Sequence, residues 1–499
     1  MEVIEGLMTQ SAQLREAAYL SDQSYDRQIR ENVASLRHVV STKSLGAFAS
    51  NDSLLDHFDP VADSLVYLFL LRAQIQAFQE QSREKVPAAL LPPGNLWSRV
   101  VSYLRTFDPV PVRYAGQEWR QLIELVAQAA QVVSKHILAV RMVRDAMLRL
   151  DPSCAVFTST HLLFVRLCLR ARAYTYALPV LDKYVCHFPT STSHPASKSS
   201  VLPCAAHDSS LSFITETSGI SAKLTYKDYL QYFLCGGMVY MALKQWSKAA
   251  RFLGIVISMP TVGPISMIMV EAYKKWILVS LLEKGKLSSP SNLISPNVVK
   301  VYHSLAKPYV NLAHSFQRGD LKHLEAEVDA ARDIWCTDNN MGLVSQVLGA
   351  YSKHTVLGIK QTFAALTVKE LADQASPVRM SDEATESVIA SLIMSGAVKA
   401  TLVQHSSQNS STMLRFSEAH SLTQLSDESK TQTCLAWERQ SLGTLMGHLD
   451  EISHHMELSD EFVDGMQKGQ VWSNTGDVNP GIGEDTALEI DEDLMGEVS

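Results

Sequence analysis

Two stretches of this chain carry the same ladder of side chains, and that ladder restricts the fold more than any other feature. Phe164, Cys168, Ala177, Leu181, Tyr184 and Pro189 are separated by 4, 9, 4, 3 and 5 residues. Gly236, Tyr240, Ala249, Leu253, Val256 and Pro260 are separated by 4, 9, 4, 3 and 4. In each stretch one helix crosses a second at a small residue, Ala177 or Ala249, and proline ends the second helix. Close approach of two helix axes requires small side chains at the crossing, with larger ones filling the space between neighbouring pairs. One such hairpin cannot bury its apolar face alone, so the ladder predicts a stack of helical hairpins. The chain has only 23 Gly and 18 Pro in 499 residues, which favours helices over an all-β fold.

The flanking sequence continues the helical pattern, and the repeats match a tetratricopeptide-like (TPR-like) arrangement. Over 63–79 the apolar residues Val66, Leu70, Ala73 and Ala77 recur at helical spacing behind Asp63, a candidate N-cap. The segment 84–94, with Pro87, Pro92, Pro93 and Gly94, reads as a loop. From 119 to 150, Trp119, Val126, Val133, Val140 and Met147 repeat every seven residues, with Leu122, Ala129 and Val143 offset by three. This predicts the longest regular helical segment, stopped at Asp151-Pro152, with His136 as a core histidine. The Ser/Thr/Pro-rich stretch 190–221 reads as a mobile surface insertion. The longest uncharged run, 252–270, contains Pro260, Thr261, Gly263 and Pro264, so it predicts two buried half-helices meeting at a turn and not a membrane span. A further helix over 266–283 has Met269, Tyr273, Trp276, Ile277 and Ser280 on one face.

Charge and cysteine usage bound the setting. Lys and Arg number 44 against 52 Asp and Glu. Eight of the acids (Asp477, Glu484, Asp485, Glu489, Asp491, Glu492, Asp493 and Glu497) fall in 471–499, which has no Lys or Arg. The body is therefore neutral and the tail carries the net −8; the tail reads as disordered, with Leu488, Ile490, Leu494 and Met495 as a short docking segment. A neutral body does not suit phosphate binding, which rests largely on counterion release by Lys and Arg. The first twenty residues lack the basic start of a secretory signal, and the seven cysteines (154, 168, 186, 204, 235, 336 and 434) form no close pair, the usage of a reduced intracellular protein.

Downstream the order of elements changes. Residues 307–335 predict a helix with Tyr309, Leu312, Ala313 and Phe316, a stop at Gly319, and a helix capped by Asp320 that buries Leu321, Leu324, Val328 and Ala331. Helices follow over 342–357, from Thr367 (Val368, Leu371, Ala372) and from Ser381 (Ala384, Val388, Ile389, Leu392, Ile393), the last ended by Gly396. Alternating strands over 398–404 and 412–416 flank the loop HSSQNSS, giving the order of a winged helix with a two-stranded wing. Beyond a linker at 417–430, a helix over 431–455 carries Leu435, Leu442, Leu449 and Met456 every seven residues, with Leu445 and Ile452 offset, the seam of a helix that packs into a bundle.

A helical repeat running into a winged helix resembles the PCI domain, shared by scaffold subunits of the proteasome lid, the COP-nine signalosome and the third eukaryotic initiation factor. More narrowly the chain resembles the third-subunit family of the signalosome. That likeness is carried by HLLFVRLCLRARAYTYALPVLD, YKDYLQYFLCGGMVYMALKQWSKAARFLGIVISMP and the SFQRGDL turn, and it spans about residues 60 to 470. The domains it implies are helical repeats over 1–295, a PCI domain over 296–416 with its winged helix at 342–416, and C-terminal bundle helices over 431–470. It implies a non-catalytic scaffold in the complex that removes a ubiquitin-like modifier from cullins and so regulates cullin–RING ubiquitin ligases. PCI and MPN subunits would be its partners, cullin–RING ligases indirect ones, in both nucleus and cytoplasm. Partner contacts are expected at the wing (Val398, Thr401, Val403, Met413, Phe416) and at the C-terminal helix (Leu435, Leu442, Leu445, Leu449, Ile452, Met456). A lid or initiation-factor PCI subunit, and a nucleic-acid-binding adaptor of mRNA export, stand as alternatives.

Catalytic motifs are absent from the sequence. There is no His-x-His, His-Glu-x-x-His, Cys-x-x-Cys or Gly-x-Ser-x-Gly, and Gly285-Lys286 lacks the rest of a P-loop. His448, Glu451, His454 and His455 read as solvated helix residues. No cofactor or metal is expected. The groove-reading position of the winged helix, 381–396, contains Asp382, Glu383 and Glu386 and no Lys or Arg, which opposes DNA binding; Arg379, Lys399 and Arg415 beside it do not form a stripe.

Overall fold

A computed structural model describes residues 2–17, 21–42, 54–189, 202–204, 210–260, 265–288, 294–319, 321–375, 382–396, 398–403, 412–416, 424–457 and 490–491. The described chain is mostly helical, and no described helix is long and apolar enough to cross a membrane. It forms two compact units, one from residues 1–239 with 447–479 and one from 240–446 with 480–499. Asp320, most of the acidic tail and the first half of the expected linker fall outside the described residues.

In the first unit, α1 (Glu2–Ala17) and α2 (Asp22–Thr42) precede α3 (Ser64–Ser82) and α4 (Asn95–Thr106). The expected cap of α3, Asp63, makes no capping bond; its buried carboxylate instead accepts from Arg15 Nε at 3.1 Å and from Ser11, tying α1 to α3. The regular segment at 119–150 is not one helix. It is a hairpin, α5 (Gly116–Val132) and α6 (Ile137–Leu150), and His136 lies half-buried in the turn, not in the core. Ser134 sits at φ 58 and Lys135 N donates back to Ala130 O, closing α5 with a Schellman turn that has no glycine. Trp119, Val126, Val140 and Met147 are nonetheless buried, so the seven-residue stripe marks the core faces of two helices.

Both ladders begin as expected, on α7 (Ser159–Arg170) and α8 (Tyr226–Ala242), and both close with the same turn. Ala173 N donates to Cys168 O, with Arg172 at φ 52; Gln245 N donates to Tyr240 O, with Lys244 at φ 57. Ala177 and Ala249 are fully buried at matching positions. The second arms differ. In the later ladder it is a full helix, α9 (Trp246–Ser258). In the earlier one it is only two short turns, Tyr174–Ala177 and Leu178–Leu181, because Pro179 lacks an N–H, and His187 then forms an isolated parallel bridge with Val156.

The expectation of a mobile insertion over all of 190–221 does not hold for its described part. Cys204, Phe213, Ile214 and Ile220 are buried. Arg113 donates to Pro203 O at 3.0 Å and lies 4.0 Å from the centre of the Phe213 ring. Ser159 N donates to Ser221 Oγ and Ala222 N donates to Ser159 Oγ, each at 3.0 Å. Its polar composition hid four apolar anchors.

The second unit is built on α10 (Met267–Lys284), which is buried around most of its circumference and follows the two-residue β1 (Ile265–Ser266). The uncharged run therefore is two half-helices, α9 and α10. Ser266 Oγ caps α10 by accepting from Ile268 N at 3.3 Å, and Gly285 ends it at φ 68. A Cβ on Gly285 would lie 2.6 Å from His354 Nδ1. The His354 ring is held there by Nε2, which donates to Leu282 O at 3.2 Å. Gly285→Ala is thus expected to cost about 2 kcal/mol in urea unfolding, from backbone strain plus displacement of the ring.

Next come α11 (Pro296–Leu305), α12 (Lys307–Arg318), α13 (Leu321–Ala330), α14 (Arg332–Thr337) and α15 (Met341–Ile359). Gly319 ends α12 at φ 80 as expected. Then β2 (Ala365–Thr367), α16 (Val368–Ala375), α17 (Asp382–Met394), β3 (Ala400–Val403) and β4 (Met413–Phe416) enclose a small core of Val356, Val368, Leu371, Ile389, Val398, Ala400, Leu414 and Phe416. The sheet is antiparallel with order β2-β4-β3, so the wing has a third strand that the sequence reading missed. The last helix, α18 (Gln424–Glu457), starts inside the expected linker, and β5 (Ile490–Asp491) runs parallel to β1.

Candidate partner interfaces

The wing presents two edges, on β2 and on β3, and two faces. β4 is central, with Leu366 opposite Leu414 on one side and Leu402 opposite Leu414 on the other. Alternation places Ala400, Leu414 and Phe416 on the core face, and Thr401, Val403, Met413 and Arg415 on the other. This divides the expected wing contacts. Val398 and Phe416 are 2% and 7% exposed, so they are core residues and cannot meet a partner. Thr401 and Val403 are exposed and Met413 is half-buried. Among the described residues no strand pairs with the outer edge of β3, which leaves a row of backbone N–H and C=O groups available for strand addition. The fold of the wing is held at its start by a reciprocal cap: Thr367 N donates to Glu370 Oε2 at 3.0 Å and Glu370 N to Thr367 Oγ1 at 3.2 Å. Hydrogen bonds to the carboxylate from Thr367, first from its N–H and then from its side chain, hold the Glu370 carboxyl below its usual range.

Helix α18 splits its seam. Leu435, Leu442 and Leu449 are 62%, 60% and 53% exposed. Met446, one helical turn from Leu442 and Leu449, joins the same stripe, and the sequence reading overlooked it because it falls outside the seven-residue series. Leu445 and Ile452 are half-buried on a different face, together with Ser441 and His448. The side chain of Met456 lies outside the described residues, as do those of Glu451, His454 and His455. Trp437, also exposed, has Lys248 Nζ 5.6 Å from its ring centre. Among the described residues no group of three or more His, Cys, Asp or Glu is placed to hold a metal ion.

At the start of α15 lies a buried polar chain that fixes that helix. Lys275 Nζ is paired with Glu271 and donates to Asn340 Oδ1 at 3.1 Å. Asn340 Nδ2 donates to Tyr309 Oη at 2.8 Å, Tyr309 Oη donates to Asp338 Oδ2 at 2.7 Å, and Lys274 Nζ reaches both Asp338 oxygens at 2.9–3.0 Å. Burial and the Asp338 carboxylate push the Tyr309 hydroxyl far up, so it stays a donor. The Tyr309 ring meets Trp335 edge-on at 4.6 Å.

The sequence is similar to known proteins over long stretches. A sequence model described as COP9 signalosome complex subunit 3, N-terminal helical repeats, matches residues 27–299. The Emericella nidulans protein of that name is 41% identical over 487 residues, 96% of each chain. The chain belongs to the COP9 signalosome complex subunit 3 family. More distant members of this family include the Neurospora crassa protein, 26% identical over 401 residues and 77% of each chain. The Drosophila melanogaster protein is 25% identical over 368 residues, covering 72% of this chain and 76% of its own. The family's helical-repeat region contains both ladders and the α5–α6 hairpin, and the small antiparallel sheet beyond it is consistent with a wing.

Proposed function

We propose that the chain is a non-catalytic scaffold subunit of a COP9 signalosome, the complex that removes a ubiquitin-like modifier from cullins and so regulates cullin–RING ligases. The chemistry belongs to a partner subunit, and this chain places its neighbours. The observation that carries the reading is the exposed stripe of Leu435, Leu442, Met446 and Leu449 on α18. Four large apolar side chains in line on one helix are stable in water only at a cost that burial in a bundle removes. The open β3 edge adds a second contact, to the wing strand of another PCI subunit. Further partners are the MPN subunits, and the complex works in both nucleus and cytoplasm.

The test is co-expression with the other signalosome subunits, one of them tagged. The full chain is expected in stoichiometric amounts in the purified complex. A chain lacking 424–499 is expected to remain folded and to be absent from it. Stoichiometric recovery of the truncated chain would sink the bundle as the site of attachment.

A further inference from the structure

The described part of the acidic tail is a strand seated on the second unit. β5 runs parallel to β1, with Ile490 in register with Ile265 and Asp491 in register with Ser266. Both strands belong to the second unit, and neither is part of α18 or the wing. The register sets an acid opposite Ser266, which is also the N-cap of α10. Its Oγ accepts from Ile268 N at 3.3 Å. One hydroxyl satisfies one N–H, whereas a helix start leaves four N–H groups without an intrahelical partner and carries partial positive charge. α10 places no acid in its own first turn, and its first carboxylate, Glu271, is paired with Lys275. The tail supplies the missing charge: Asp491 is followed in sequence by Glu492 and Asp493, and 471–499 has no Lys or Arg to oppose them.

We propose that the segment 488–493 is a tethered strap on the second unit, and that the β1 edge beneath it is an acceptor for an acidic strand, occupied by the chain's own tail. Backbone pairing supplies the attachment and tolerates many sequences; the acids beside the start of α10 supply the selection. A parallel pair of two-residue strands is marginal by itself, so pairing and charge hold the strap together and it can open. A tethered segment outcompetes a free one of equal intrinsic affinity, so the free chain keeps its edge closed. An acidic strand of another molecule gains the edge only when the strap is open. The reading is independent of the assembly contacts on α18 and β3, since neither contributes to the β1–β5 pair.

The test is hydrogen exchange on the full chain, read at the amides of 265–268. Ile490→Pro with Asp491→Pro removes both N–H groups of β5, and is expected to speed that exchange at least about tenfold while the amides of α12 keep their protection. Asp491→Asn, Glu492→Gln and Asp493→Asn together keep every N–H and are expected to speed it several-fold. A labelled peptide of residues 484–499 is then expected to bind the double-proline chain saturably, at least about tenfold more tightly than it binds the parent, and to weaken as salt rises. Unchanged exchange in either variant, no saturable binding to the double-proline chain, or equal binding to both chains would each overturn the proposal. So would protection in the parent that falls on dilution, which would place β5 of one copy on β1 of another.

Discussion

Leu442→Glu combined with Leu449→Glu is expected to leave the chain as stable as the parent and to remove it from its assembly. The two parts of this expectation rest on the same exposure. At 60% and 53% exposed, these leucines contribute little to the chain's own packing, and surface changes of this kind usually fall within about 0.5 kcal/mol of neutral. In a bundle each would bury most of its side chain, worth about 1.5–3 kcal/mol apiece. Glutamate would also strand a carboxylate in an apolar seam. The loss should therefore be at least about 4 kcal/mol, roughly a thousandfold in affinity. Unfolding in urea checks the first part, and size-exclusion of the co-expressed complex checks the second. Leu445→Glu is the contrasting variant, because Leu445 is half-buried against its own chain and should cost stability as well. Wild-type incorporation of the Leu442/Leu449 double variant would remove the stripe from the interface.

The division of that seam shows what periodicity can and cannot report. A seven-residue spacing marks residues that share a helix face, and it was legible at Leu435, Leu442 and Leu449. It does not say whether the face is covered from inside the chain or from outside, so Leu445 and Ile452 looked equivalent to the others. The same limit applies at the wing. Period-two alternation placed strands at 398–404 and 412–416, but Val398 and Phe416 belong to the small core, because the faces are assigned only once β2 is known to lie on the far side of β4. Three residues, Ala365–Thr367, are too few to show alternation, and Thr367 is at once the end of β2 and the cap of α16.

Helix ends tell the clearest story. Gly285 and Gly319 end α10 and α12 in the left-handed region, and the second of these was readable because glycine tolerates that conformation. The α5–α6 break was missed because Ser134 does the same work. Arg172, Lys244 and Asn339 repeat it, each followed by an N–H that donates five residues back. These turns carry no sequence flag. They persist because the helices on either side are packed, and that packing offsets about 1 kcal/mol of backbone strain at each. The recurrence at Arg172 and Lys244, four residues beyond Cys168 and Tyr240, is also the best structural support for the two ladders as copies of one hairpin.

The last of these turns leads to the largest expected effect on stability. Asn339 at φ 52 delivers Asn340, which is fully buried, into the polar chain between Lys275 and Tyr309. Asn340→Leu keeps the approximate volume but removes the acceptor for Lys275 Nζ, itself 8% exposed, and the donor to Tyr309 Oη. Leaving a buried ammonium one partner short is expected to cost about 2–4 kcal/mol. Tyr309→Phe removes the neighbouring hydroxyl and should cost about 1–2 kcal/mol, with the Asp338–Lys274 pair still intact. Because the two side chains touch, the double variant should fall short of the sum by about 1 kcal/mol. Hydrogen exchange gives the sharper readout. The amides of α12 and α15 should lose protection together, since both helices are tied through Tyr309 and Asn340, while those of α5 and α6 in the first unit should keep theirs. Val356, on the last turns of α15, is part of the small core under the wing, so loosening α15 should spread to β4. An Asn340→Leu chain that unfolds within about 0.5 kcal/mol of the parent would show that water replaces the lost amide and that the polar chain does not hold the wing in place.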